Sequence, residues 1–120
     1  MRRDGISSLD YLAKKFEPYL KGEGDVKISL EELDLNPYRS KVIEVYRALK
    51  EKVPFGKTIT YGELARATGT HPRFVGYCMS VNRFPLIIPC HRVMAKTGLG
   101  GYSYGIDIKR LLLRLEGVEA

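Results

Sequence analysis

The chain has 120 residues, a formal charge of +6 and two cysteines. That length can bury a core without disulfides or metals, and two thiols with no signal-peptide pattern ahead of them are expected to stay reduced inside a cell. No apolar run approaches the roughly 20 residues of a spanning helix, so no membrane partner is expected, and the positive balance points to an anionic one such as nucleic acid.

Residues 1–34 read as a reduced N-terminal α/β segment, and residues 35–120 as the main domain. Ser8 is placed to cap a helix carrying Leu9, Leu12, Phe16 and Leu20 on one face, with Pro18 expected to end or bend it. Gly22-Glu23-Gly24 marks a turn, and Val26, Ile28 and Leu30 alternate with polar residues as a half-buried strand does. Asn36-Pro37 then predicts a helix start, and Tyr38, Val42, Val45, Tyr46 and Leu49 follow at helical spacing up to about Lys52. Val53-Pro54-Phe55-Gly56 ends that helix.

A helix-turn-helix follows. Thr60 and Glu63 form a capping box, the first helix reaches Gly69, and Pro72 opens a second helix running to about Val81. Gly76 and Ser80 keep one side of that helix small enough for another surface to approach. Two helices joined by a short Gly-containing turn suit DNA, with the second as reader, although an ordinary helical hairpin has the same pattern.

The apolar run Leu86-Ile87-Ile88 leads through Pro89 to Cys90 and His91, and flanking prolines predict a rigid extended segment. A thiol becomes nucleophilic on losing its proton, and an adjacent imidazole or cation (His91 or Arg92) can favour that loss. A lone Cys beside a His is equally compatible with a buried structural thiol. Beyond it, Ala95 to Leu99 reads as a flexible surface loop without P-loop spacing. The last helix carries Ile108, Leu111, Leu112 and Leu115 as a core-facing stripe, and Gly117 terminates it. Glu116 at its end is disfavoured by the helix dipole, so another group is expected to hold it. No His/Cys cluster has metal-ligand spacing, and no metal site is expected.

Pro89-Cys90-His91-Arg92-Val93 after Ile87-Ile88 resembles the active-site motif of the O6-alkylguanine-DNA alkyltransferases. The resemblance extends to Gly56–Ala65 upstream, to Gly101-Tyr102-Ser103 and to Leu112–Gly117, and covers roughly Pro37 to Gly117. It implies a mainly α fold with short strands, a winged-helix-like helix-turn-helix alkyltransferase domain. It also implies direct DNA repair, in which each molecule flips an O6-alkylguanine out of double-stranded DNA and takes its alkyl group once. Relatives often carry a larger N-terminal domain, so residues 1–34 are expected to be scaffold.

By the same resemblance Cys90 is the nucleophile, His91 a base acting through a bridging water, and Glu116 the group that orients His91. Tyr61 would supply a proton near guanine N3 and help rotate the target phosphate. Arg73 would fill the vacated space in the duplex, with Gly76 and Ser80 also at the DNA. Asn82 would brace the turn before the motif. Met79, Val93, Ser103 and Tyr104 would surround the base, with backbone groups of Cys90, Val93 and Ser103 reading its edge. No cofactor is implied, and the protein is expected to act as a cytoplasmic monomer, at the nucleoid if prokaryotic. Two other readings remain: a thiol-based helix-turn-helix regulator, and a cysteine hydrolase. Pro89 gives the hydrolase no backbone donor for an oxyanion hole.

Overall fold

The computed structural model describes residues 2–120, and side chains from residue 10 onward. The architecture is mainly helical: α1 (Arg2–Leu20), α2 (Ser40–Lys52), α3 (Tyr61–Thr68), α4 (Pro72–Ser80) and α5 (Ile106–Leu115). Two short strands, β1 (Ile59–Thr60) and β2 (Val93–Met94), pair in parallel with Ile59 opposite Val93 and Thr60 opposite Met94. That pairing ties the entrance of α3 to the residues just after Cys90. Among the described residues no helix is long and apolar enough to cross a membrane.

α2 follows the apolar spacing, burying Val42, Val45, Tyr46 and Leu49, while Lys50 and Lys52 complement the dipole in its last turn. α3 opens on a capping box: the Glu63 amide donates to Thr60 Oγ1 at 3.1 Å and the Thr60 amide to Glu63 Oε1 at 2.9 Å. Gly69 closes α3 at φ 67°, a left-handed conformation that favours glycine. Pro72 then starts α4. Local chemistry thus sets the helix-turn-helix, and Leu64, Ala65, Val75 and Cys78 seat it on α2 in the main core.

Several expectations fail at segment ends. α1 already runs from Arg2, so Ser8 lies in its interior rather than at its start; the side chains of Ser8 and Leu9 are outside the described residues. A capping residue marks a start only where the preceding residues leave the helix. Pro18 neither begins nor immediately ends a break: Tyr19 and Leu20 remain helical before the turn at Gly22. Val26, Ile28 and Leu30 are buried in alternation, yet they form no strand: Leu30 opens a 3-10 turn, Leu30–Glu32, and among the described residues no strand pairs with this segment. Asn36-Pro37 lies in a turn, with the Asn36 amide on Asp34 Oδ1 and the Tyr38 amide on the Leu35 carbonyl. α2 begins only at Ser40. Tyr38, outside the helix, donates its hydroxyl to the Val81 carbonyl at 2.8 Å.

α5 departs furthest from its apolar pattern. Ile108 and Leu111 are exposed, at 44% and 63%, while Lys109, Leu113 and Glu116 are buried. The helix is rotated from the apolar stripe because the Lys109 ammonium has three carbonyls to meet: Val93 at 2.6 Å, Leu99 at 2.5 Å and Gly101 at 3.1 Å. Leu112 and Leu115 do turn inward, packing with Tyr19, Val26, Ile28 and Ile87 in a second apolar cluster that joins the N-terminal segment to α5.

Candidate active site

Cys90 sits at the start of a single 3-10 turn, Cys90–Arg92, immediately before β2. The segment leading to it is not extended. Leu86 has φ 73°, unusual for a residue with a side chain, and residues 85–88 form a tight turn. Asn82 closes that turn, donating Nδ2 to the Ile88 carbonyl at 3.0 Å and accepting the Phe84 amide at 2.9 Å. The Cys90 amide in turn donates to the Ile88 carbonyl at 2.7 Å. Rigidity therefore comes from side-chain hydrogen bonds rather than from an apolar strand.

A cavity of about 210 Å³ opens beside the thiol, lined by Tyr61, Gly76, Met79, Ser80, Cys90 and the 101–103 loop. One wall is α4, one is the first residue of α3, and one is the loop before α5. Lys109 makes that loop a fixed wall by gathering the carbonyls at both of its ends, and the Ala95–Gly98 bridge tightens it further. The flexible loop expected over Ala95 to Leu99 is thus a pinned one. Gly100 has φ 74°, and a Cβ there would lie 3.1 Å from both the Ala95 nitrogen and Tyr61 Cε2. Only glycine lets Tyr61 pack this closely.

Cys90 is 2% exposed, and its thiol donates to the Tyr102 hydroxyl at 3.5 Å. Burial pushes this thiol up, while hydrogen bonds from Tyr102 and Asn82 and the charge of Lys109 oppose the rise. The expected help from His91 and Arg92 takes another form, because both point to Glu116. His91 Nε2 lies 2.5 Å from Glu116 Oε2, and Arg92 reaches the same carboxylate through Nε at 2.8 Å and Nη2 at 2.9 Å. Arg92 also bonds the Val53 carbonyl and Asp25. The Gly56 amide and the Tyr19 hydroxyl complete the set at 3.1 and 2.6 Å. These contacts are what hold Glu116 at the disfavoured helix end.

Burial pushes the Glu116 carboxyl up, but hydrogen bonds from His91 and Arg92, the His91 charge and the Tyr19 hydroxyl outweigh it and hold the group at about 2. Burial also depresses His91, against the pull of Glu116. The imidazole is therefore neutral at neutral pH, and there Arg92 is the cation that keeps Glu116 ionised. With Nε2 protonated towards the carboxylate, Nδ1 is the acceptor nitrogen. It is the one buried side-chain polar atom without a partner among the described residues.

Met79, Ser80, Gly76, Tyr61 and Ser103 thus meet Cys90 around one cavity, with His91 and Glu116 behind it. Arg73 stands exposed on the outer face of α4 beside Gly76 and Ser80. Asn82 braces its turn as expected and also bonds the thiol. Two of the residues expected around the base, Val93 and Tyr104, are not in the lining. Val93 is fully buried with its carbonyl on Lys109. Tyr104 packs on Tyr102 at 5.5 Å and donates its hydroxyl to the Asn82 carbonyl at 2.7 Å. Sequence reasoning missed Tyr19, Asp25 and Lys109, and passed over Tyr102 as a contact of the thiol. None carries a local signal: a lysine within an apolar helix pattern reads as surface.

Residues 41–118 match the family described as 6-O-methylguanine DNA methyltransferase, DNA binding domain. The methylated-DNA–protein-cysteine methyltransferase of Methanocaldococcus vulcanius is 46% identical over 88 residues, 73% of this chain and 52% of that protein. The crystal structure of the O6-methylguanine-DNA methyltransferase from Pyrococcus kodakaraensis superposes with a TM-score of 0.79 at 40% identity, covering 91% of this chain and 64% of that one. Mycobacterium tuberculosis OGT in complex with DNA gives a TM-score of 0.77 at 36% identity, covering 88% and 63%. The chain therefore spans about half to two thirds of the length of these relatives.

Proposed function

Since the chain belongs to the 6-O-methylguanine DNA methyltransferase family, we propose that it repairs double-stranded DNA by moving the alkyl group of an O6-alkylguanine onto Cys90. The observation that carries this reading is Cys90 lining a cavity of single-base scale between α4 and the 101–103 loop, with the neutral His91 held on Glu116 behind it. A base inside a duplex cannot reach a thiol that is 2% exposed, so the nucleotide must leave the stack at a cost of a few kcal/mol. Arg73, exposed on α4 and without an ion-pair partner among the described residues, would occupy the vacated space, a reading its free guanidinium supports. Gly76 and Ser80 on the same helix let the backbone of DNA come close.

The reaction is one displacement. The Cys90 proton passes through a bridging water to His91 Nδ1, and Glu116 stabilises the imidazolium that forms. The sulfur attacks the alkyl carbon, the carbon–O6 bond breaks, and its electron pair stays with guanine. Guanine takes a proton near N3 from the Tyr61 hydroxyl, which regains one through solvent from His91, so the thiol proton is balanced by the one guanine gains. Burial, then the Cys90 charge, pushes Tyr61 up, so the hydroxyl still carries its proton when guanine leaves. A thioether does not revert by hydrolysis, so each molecule acts once.

Intact-mass analysis after mixing with a duplex holding one O6-methylguanine tests this. One methyl per chain, mapped to Cys90, is expected. Cys78 should stay bare, since it is fully buried and burial pushes its thiol up to about 11. Absence of the adduct, or repeated turnover by one molecule, overturns the reading.

A further inference from the structure

Tyr19, from the last turn of α1, reaches the far side of the site. It is fully buried, its ring lies edge-on to Phe55 at 5.7 Å and to His91 at 6.4 Å, and its hydroxyl donates to Glu116 Oε2 at 2.6 Å. The same oxygen receives His91 Nε2 and Arg92 Nη2, and the Tyr19 hydroxyl is 3.4 Å from His91 Nε2. A phenylalanine would fill this place equally well if packing were all that mattered. We infer that Tyr19 is a positioning residue: by occupying one lone pair of Glu116 Oε2 it limits the charge that oxygen presents to His91, and so sets the pH at which His91 takes up a proton. The inference rests on the alkyl-transfer reading, in which His91 must be neutral to accept the thiol proton. It makes α1 part of the reacting machinery rather than scaffold.

The physical basis is competition for one oxygen. A carboxylate oxygen shared by three donors gives each less than it would give two. Removing the phenol leaves more of the charge to His91 and favours the imidazolium. The other charged groups around the imidazole are Arg92 from its own turn, which opposes protonation, and Asp25 from the segment after α1, which favours it. Neither is hydrogen-bonded to the Tyr19 hydroxyl, whose partners are Glu116 and His91.

The test is the titration of His91 followed by NMR, which needs no substrate. The chain has two histidines, and His71 is exposed and serves as internal reference. Tyr19→Phe keeps the ring and removes the hydroxyl. The His91 midpoint should rise by about half to one pH unit, the scale of one hydrogen bond. The acid limb of methyl transfer should move upward with it. In a Glu116→Gln background Tyr19→Phe should produce no further shift, because the effect passes through that carboxylate. An unchanged His91 midpoint, or an equal shift in both backgrounds, overturns the inference. Should Tyr19→Phe fail to fold, the chain made with fluorinated tyrosine supplies a stronger donor, and the His91 midpoint should fall; no movement again overturns it. If the wild-type chain leaves methylated duplex unaltered, the alkyl-transfer reading fails, and the His91 titration still decides the role of Tyr19.

Discussion

Tyr102 holds its hydroxyl 3.5 Å from the Cys90 sulfur, the one hydrogen-bonding side chain from the 101–103 loop to meet the thiol. A buried thiolate needs donors, and here burial raises the thiol while Tyr102 is foremost among the groups that oppose the rise. Tyr102 itself is pushed up, by burial first and the Cys90 charge second, so it remains a protonated donor when the thiolate forms.

Tyr102→Phe should therefore move the Cys90 titration to higher pH and slow methyl transfer roughly tenfold at neutral pH, the scale of one hydrogen bond to a charged group. The rate should recover as pH rises through the new thiol value. Stopped-flow alkylation of Cys90 against pH measures both. A rate lowered equally at every pH would show that Tyr102 shapes the cavity without stabilising the thiolate.

Glu116 gives the chain an acid-sensitive lock. Its carboxyl titrates at about 2 when folded against 4.5 ordinarily. Its folded value is depressed, so its stabilisation is fully present above about pH 4.5 and is lost as pH falls towards 2. Glu116→Gln should cost on the order of 3 kcal/mol at pH 7 and flatten the loss of stability between those values. Urea unfolding at several pH values checks it. Parallel acid-side slopes in the two proteins would mean that other carboxylates dominate.

Arg73 should matter only where a duplex has to be opened. With Arg73→Ala, repair of O6-methylguanine in double-stranded DNA should fall at least tenfold while reaction with the free modified base stays within about twofold. Equal losses on both substrates would remove Arg73 from base extrusion.

Gly100→Ala probes the contact between the pinned loop and Tyr61. The new methyl meets backbone at Ala95 and the Tyr61 ring, each 3.1 Å away, on a residue at φ 74°. A cost of about 1–2 kcal/mol in stability is expected from the left-handed backbone alone, with a larger fractional loss in methyl transfer as Tyr61 is displaced. Thermal unfolding beside single-turnover rates separates the two. Full activity in a destabilised protein would show that the Tyr61 position is not critical.

Tyr104 is 44% exposed and packs on Tyr102, whose ring lines the cavity. Free O6-benzylguanine should react poorly beside O6-methylguanine in DNA. Tyr104→Gly, by letting the Tyr102 ring retreat, should speed the benzyl reaction selectively, since in-line attack tolerates little misplacement. Ready benzyl transfer by the wild-type chain would exclude this steric limit.

What the sequence determined by itself is what short-range rules govern. The stripe Val42, Val45, Tyr46 and Leu49, the Thr60–Glu63 box, Gly69 and Pro72 need no distant partner, and the helix-turn-helix could be read from them. The motif around Cys90 and the need for something to hold Glu116 were legible too. Only the tertiary structure decided which groups meet. Arg92 turns away from the cysteine beside it because Glu116 and Asp25 offer it charge and geometry. α5 rotates to bury Lys109 rather than Ile108 because three carbonyls converge there. Tyr19 reaches Glu116 across 97 residues of sequence. An apolar pattern states how much of a helix is to be buried, but a buried polar group settles which side, since leaving it unpaired costs more than exposing a leucine.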